Sequence, residues 1–144
     1  MIEYRKRITR QMLRDEPEKL FVFGDNLERR GLGGQAREMR GEPNAVGIPT
    51  KRSPSMVDGS FFTNDDFYVV RTEIDPAMAK LAAHLLAGGT VVWPADGIGT
   101  GLADLPRRAP WIWTYLEHHR ADLDWISETG KPPRLLPDYR RKEP

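Results

Sequence analysis

Cysteine is missing from all 144 residues, which removes disulfides, thiolate nucleophiles and Cys-ligated metals together. A reducing cytoplasm is the simplest compartment for such a chain. Long apolar runs are missing as well: nothing approaches the ~20 residues a membrane span needs. The charged opening Met1-Ile2-Glu3-Tyr4-Arg5-Lys6-Arg7 is not followed by the apolar stretch of a secretory signal. Charge of one sign is not in excess, since 22 Lys+Arg stand against 21 Asp+Glu. That balance argues against a dedicated duplex-DNA binder, which carries a clear basic surplus. The three histidines form no metal-ligand spacing with Asp or Glu. His84 falls on the polar side of its helix and reads as exposed, while His118 and His119 are adjacent and cannot both face one ion. Ser53 and Ser55 lack the Gly-x-Ser-x-Gly setting of a serine nucleophile. No Walker A loop and no complete Gly-x-Gly-x-x-Gly fingerprint occurs. Neither a metal nor a cofactor is therefore expected.

What is present, 39% hydrophobic and 30% charged residues, fits a soluble globular protein. We expect one α/β domain over 1–129 and a Pro-rich basic tail over 130–144, where five basic residues accompany Pro132, Pro133 and Pro137. Residues 1–20 are polar, with Thr9 placed to cap a short helix through Met12 and Leu13 ahead of Pro17. Residues 20–23 read as a buried strand ended by Gly24, 35–40 as a short helix closed by Gly41, and 45–49 as a second strand. Residues 52–66 suit an irregular surface loop, and 67–70 a strand or the start of the next helix. The helix over 76–87 has Asp75 as N-cap, Pro76 at its first position and a stripe of Met78, Leu81, Ala82, Leu85 and Leu86. A strand over 90–94 follows, and Pro110 opens a helix with Ile112, Tyr115, Leu116 and His119 on one face.

Glycine placement is the informative feature. Of 13 glycines, eight (Gly24, Gly31, Gly33, Gly34, Gly41, Gly97, Gly99 and Gly101) fall within 23 of the 144 residues, where even spacing would put about two. Both clusters follow a strand and precede a helix. In α/β folds ligands bind outside the carboxyl ends of the strands, so the two loops can face each other across one crevice. In the first loop, Gly31, Gly33 and Gly34 bring backbone N–H groups to a helix start that favours an anion, and Asp25 and Asn26 sit at the strand tip. The plain alternative is a glycine turn with an Asp/Asn cap. In the second, Gly97-Ile98-Gly99-Thr100-Gly101-Leu102 alternates glycine with other residues and can form a nest of N–H donors, Thr100 adding a hydroxyl. It can equally be a tight connection only. At ~1.5–3 kcal/mol per charge-assisted hydrogen bond, four or five such bonds would hold a diphosphate at micromolar strength without any lysine. Thr50 and Lys51 lie just past a strand end on the same edge. Lys51 is either a solvated charge or, if desolvated, a nucleophile or proton carrier.

The combination resembles a macrodomain, the ADP-ribose-binding α/β/α module, and most closely its terminal ADP-ribose glycohydrolase branch. The likeness rests on Phe23-Gly24-Asp25-Asn26 followed by Gly31-Leu32-Gly33-Gly34-Gln35-Ala36, on Thr50-Lys51 after a second strand, and on the strand and loop from Val91 to Asp104. It covers residues 20–52 and 90–116. The resemblance implies a three-layer α/β/α fold with a mixed central sheet and a ligand that is ADP-ribose or an ADP-ribosylated substrate, nucleic acid entering only as a modified substrate. It implies that Gly31, Gly33 and Gly34, with Gly97, Ile98, Gly99, Thr100, Gly101 and Leu102, hold the diphosphate and distal ribose. Asp25 and Asn26 would line the ribose side, and Gln35 and Thr50 would complete the ligand-binding set. Lys51 would attack or polarise the anomeric carbon, and Asp104 would act as acid/base. The family's loop Asp directly follows Gly-x-Gly-Leu, whereas Ala103 holds that place here and Asp104 comes one residue later. The family's Asn-Ala-Ala-Asn segment is absent. Three classes stay open on the sequence: an ADP-ribosyl hydrolase, an ADP-ribose-binding module without turnover, and an interaction protein whose glycines merely close turns.

Overall fold

The computed structural model describes residues 1–133; the tail beyond them, from 134 to 144, lies outside the described residues. Four strands, β1 (Ile2–Arg5), β2 (Leu20–Asn26), β3 (Ala45–Lys51) and β4 (Val91–Pro94), form one sheet in the order β1-β4-β2-β3. The helices are α1 (Arg10–Asp15), α2 (Ala36–Met39), α3 (Phe67–Leu86), α4 (Leu105–Arg108) and α5 (Pro110–Thr129). Every strand pair is parallel, which corrects the expected mixed sheet. The cause is the connectivity: α1, α2 and α3 each sit between consecutive strands, so the chain always re-enters the sheet from the same edge. The antiparallel element among the described residues is an isolated bridge between Lys51 and Phe61.

Alternation along the strands separates two cores. Phe21, Phe23 and Val92 pack with Leu13 of α1 and with Ala36 and Met39 of α2. Val22, Val46, Ile48, Val91 and Trp93 face the other way, onto Val70, Ile74, Met78, Leu81 and Leu85 of α3 and Ile112, Leu116, Leu123 and Ile126 of α5. Helices thus cover both sheet faces, which is why the central strands read as nearly continuous apolar runs.

Several expectations change. The long helix begins at Phe67, well before the expected start, and Pro76 sits inside it. A capping box at Thr63 and Asp66 starts the turn that runs into α3. The apolar stripe of Val70 and Ile74 then continues into Met78, Leu81 and Leu85, so burial outweighs the hydrogen bond that Pro76 cannot make. Asp75 is consequently no N-cap: its carboxylate accepts from the Tyr115 hydroxyl and lies 3.5 Å from His119 Nε2, both on α5. Leu86, expected in the stripe, is exposed. The segment 52–66 is also more ordered than a surface loop, since Ser60, Phe61 and Phe62 are buried between two 3-10 turns, Asp58–Ser60 and Asn64–Asp66. His84 is half-buried rather than exposed, its ring lying where a Cβ on Gly89 would stand.

Strand β1 has no apolar signature because it is a sheet edge, where charge is tolerated and discourages further pairing. Its Arg5 reaches both Glu16 carboxylate oxygens at 2.7 and 2.8 Å, and Lys19 bonds Glu16 at 2.8 Å and Glu3 at 3.1 Å. Tyr4 donates to Asp124 of α5 at 2.5 Å. The Arg5 guanidinium, helped by Lys19, holds the Glu16 carboxyl down to about 2, against an ordinary value of 4.5. A carboxyl lowered in the folded state stabilises it above the unfolded value, and that contribution fades as pH falls toward the folded one. Glu16→Gln is therefore expected to cost ~1 kcal/mol near neutrality, the scale of a partly exposed ion network. The difference from the parent should vanish near pH 2, as read from urea unfolding at both pH values.

Candidate functional site

The carboxyl ends of the three neighbouring strands β4, β2 and β3 open onto one cleft of about 410 Å³. Gly24, near the end of the middle strand, forms its floor. A Cβ there would stand 3.4 Å from Thr50 Oγ1, 3.7 Å from Gln35 Oε1 and 3.7 Å from the Gly99 nitrogen, so three separate chain segments meet over this bare position. Both glycine loops line the cleft: Gly31, Gly33 and Gly34 on one side, Gly97, Gly99, Thr100, Gly101 and Leu102 on the other. Among the described residues, the backbone N–H groups of Gly31, Gly33, Gly34, Gly99, Thr100 and Gly101 donate to no protein acceptor. None of these six residues is buried, so their N–H groups are open to solvent, and an anion entering the concavity can take over donors that converge from both loops.

Gln35 ties the walls together. Its Oε1 accepts from the Gly24 N–H at 2.9 Å and its Nε2 donates to the Gly97 carbonyl at 3.2 Å. One side chain thereby fixes the start of α2, the end of β2 and the second loop relative to one another.

Asp25 lines the cleft, but its carboxylate is fully engaged. Arg40 donates to both oxygens, Arg29 donates at 3.3 Å and the Asn26 N–H at 2.8 Å. Arg40 also donates to the Gly31 carbonyl at 2.8 Å, so the pair holds the first loop in shape rather than offering a free acceptor. Asn26 is buried; its Nδ2 donates to the Arg30 carbonyl at 2.8 Å, and its Oδ1 has no hydrogen-bond partner.

Lys51 is 9% exposed and lines the cleft at the end of β3. Its Nζ donates to the Ser55 carbonyl at 2.6 Å and stands 4.5 Å from the centre of the Phe61 ring, whose other cation is Arg108 at 3.8 Å. Burial, and secondarily the Arg108 charge, push the ammonium below its ordinary value. A lysine in this setting can supply either a proximal positive charge or, once deprotonated, an amine nucleophile.

Two of the expected site residues do not line the cleft. Ile98 is buried in the core among Ile48 and Leu105, anchoring the glycine loop from beneath. Asp104 points away, with its carboxylate 2.6 Å from Arg107 Nε and 3.7 Å from Arg108 Nε. Ala103 lines the cleft in its place, so the turn does not absorb the one-residue offset. Conversely, Arg30, Arg40, Pro54, Met56 and Asp96 line the cleft without having been singled out from the sequence. Arg40 and Asp25 are 15 residues apart and no local pattern announces their pairing. Asp96, directly before Gly97 at a strand exit, did carry a legible positional signal.

Among the described residues no group of His, Cys, Asp and Glu could hold a metal ion, and no helix is long and apolar enough to cross a membrane. Neither a curated protein nor a solved structure matches the chain. One family profile matches residues 3–119, described as a family of unknown function, DUF7831, and the chain belongs to that family.

Proposed function

We propose that the cleft binds ADP-ribose or a related NAD-derived nucleotide and hydrolyses ADP-ribosyl linkages, on a macrodomain-like three-layer scaffold. The supporting observation is the pair of glycine loops facing one cleft with unpaired amide N–H groups on both sides. A pyrophosphate needs several convergent donors and little side-chain bulk, and both loops provide that. The cleft volume falls in the ~300–1,000 Å³ range of small-ligand sites. Lys51 at the rim adds positive charge on the side where a ribose carrying the scissile bond would lie.

Titration calorimetry with ADP-ribose tests the binding step. Micromolar affinity is expected, and weaker binding of AMP, which lacks the pyrophosphate. Absence of heat with ADP-ribose would leave only the interaction-protein class. Binding without turnover is a second reading, favoured by one observation: Ala103 stands where an acid/base carboxylate was expected. Incubation with a peptide carrying ADP-ribose as a glutamate ester separates the two readings by the release of free ADP-ribose.

A further inference from the structure

Hydrolysis at the cleft needs a group that accepts a proton from water, and Asp104 is turned away toward Arg107 and Arg108. Of the two carboxylates that line the cleft, Asp25 is occupied by Arg40, Arg29 and the Asn26 N–H. The other is Asp96. It is exposed, and among the described residues its carboxylate makes no ion pair or hydrogen bond. Its backbone is nevertheless pinned. The Ala95 N–H donates to the Arg5 carbonyl at 2.9 Å, the Gly97 N–H to the Pro94 carbonyl at 2.9 Å, and Thr100 Oγ1 to the Asp96 carbonyl at 2.7 Å. A free carboxylate on a fixed backbone beside an open cleft is suited to a positioned proton acceptor.

The sheet order places it opposite the lysine. Asp96 follows β4, Lys51 ends β3, and β2 lies between them with Gly24 as the bare floor. Two strand spacings across the sheet and an offset of about three residues along it, Val92 being level with Phe21 and Lys51 with Asn26, put those strand ends roughly 14 Å apart, and both residues line the same cleft. We propose that Asp96 is the catalytic base of this cleft, deprotonating the water that attacks the anomeric carbon of the ADP-ribosyl group. The inference rests on the nucleotide reading given above. In the step, the water oxygen bonds to the anomeric carbon and its proton passes to the Asp96 carboxylate. The bond from that carbon to the ester oxygen breaks, and its electron pair leaves on the released carboxylate, beside the Lys51 ammonium. Proton loss from Asp96 to solvent restores the site. The charged groups facing this space are Lys51, Arg30, Arg40 and the already paired Asp25.

The experiment compares the parent, Asp96→Asn and Asp104→Asn on a peptide bearing ADP-ribose as a glutamate ester, alongside calorimetry with free ADP-ribose. Asp96→Asn is expected to lower kcat about 100-fold with KM nearly unchanged. It should also erase the acidic limb of the kcat profile while leaving ADP-ribose affinity intact. Asp104→Asn should keep the parent kcat. An Asp96→Asn enzyme with parental kcat and an unaltered acidic limb would overturn the assignment, as would a parent that binds ADP-ribose but releases none from the ester. A parent that gives no heat with ADP-ribose would instead remove the nucleotide reading itself, and Asp96 with it.

Discussion

Lys51→Ala is expected to reduce release of ADP-ribose from a glutamate ester by about 1,000-fold or more, while free ADP-ribose still binds within a few-fold of the parent. The asymmetry follows from where the charge sits. The amide donors that would hold the pyrophosphate belong to the glycine loops and are untouched by the substitution. Lys51 ends β3, and its effect is exerted on the bond being broken, so its loss appears in kcat rather than in affinity. Burial and Arg108 hold its ammonium below 10.5, the ordinary lysine value. If the amine must be neutral to attack, kcat rises with pH through a midpoint below that value. If the ammonium stabilises the leaving group, kcat falls over the same interval instead. The sign of that limb therefore decides which role Lys51 has. Phe61 keeps Arg108 on its ring when Lys51 is removed, so the local fold is expected to survive with a modest loss of stability. Equal release by Lys51→Ala and the parent would take Lys51 out of the mechanism.

The parts of this fold that were legible in the sequence are those with strong local signals. An apolar run announced β2, although the strand continues through Gly24 to Asn26 instead of ending at the glycine, and Thr-Val-Val-Trp-Pro announced β4 ahead of the second loop. Because both loops lie at the carboxyl edge of a parallel sheet, their convergence on one cleft followed from the α/β order. What escaped was decided by tertiary context. β1 is polar because it is a sheet edge whose charges pair with Glu16 and Lys19, in the segment that follows α1. α3 runs through Pro76 because its buried stripe spans both sides of it. Within the site, a turn rotates successive side chains to different faces, so one residue separates Ala103 in the cleft from Asp104 outside it. At Ile98 the local signal points to the core: an apolar residue between two glycines is more useful there than to a charged ligand. Asp25 illustrates the deepest limit, since a carboxylate at a strand tip looks free until its arginines are found 4 and 15 residues away.

Gly99→Ala is expected to damage both the fold and the cleft, by an amount that can be separated into causes. Gly99 has φ +77°, a left-handed conformation that costs an alanine ~1–2 kcal/mol. An added Cβ would also stand 3.0 Å from Leu105 Cδ2, 3.1 Å from Leu105 Cβ and 3.2 Å from Thr50 Cγ2. Leu105 is fully buried and cannot move aside, which adds ~1–3 kcal/mol of overpacking. A combined loss of ~2–5 kcal/mol should lower Tm by roughly 5–20 °C. The Leu105 N–H donates to the Gly99 carbonyl at 2.8 Å, so relief of the clash must shift the loop relative to α4 and displace the neighbouring amide donors. ADP-ribose affinity, measured well below the melting midpoint where the variant is folded, should fall ~100-fold, the equivalent of losing one or two charge-assisted hydrogen bonds. Gly101→Ala is the informative contrast: a Cβ there meets nothing within 4 Å and the backbone is not left-handed, so stability should stay within ~0.5 kcal/mol of the parent. If Gly99→Ala were as stable and as tight as the parent, the second loop would not be held against Leu105 and Thr50, and the donors facing the cleft could not be preorganised.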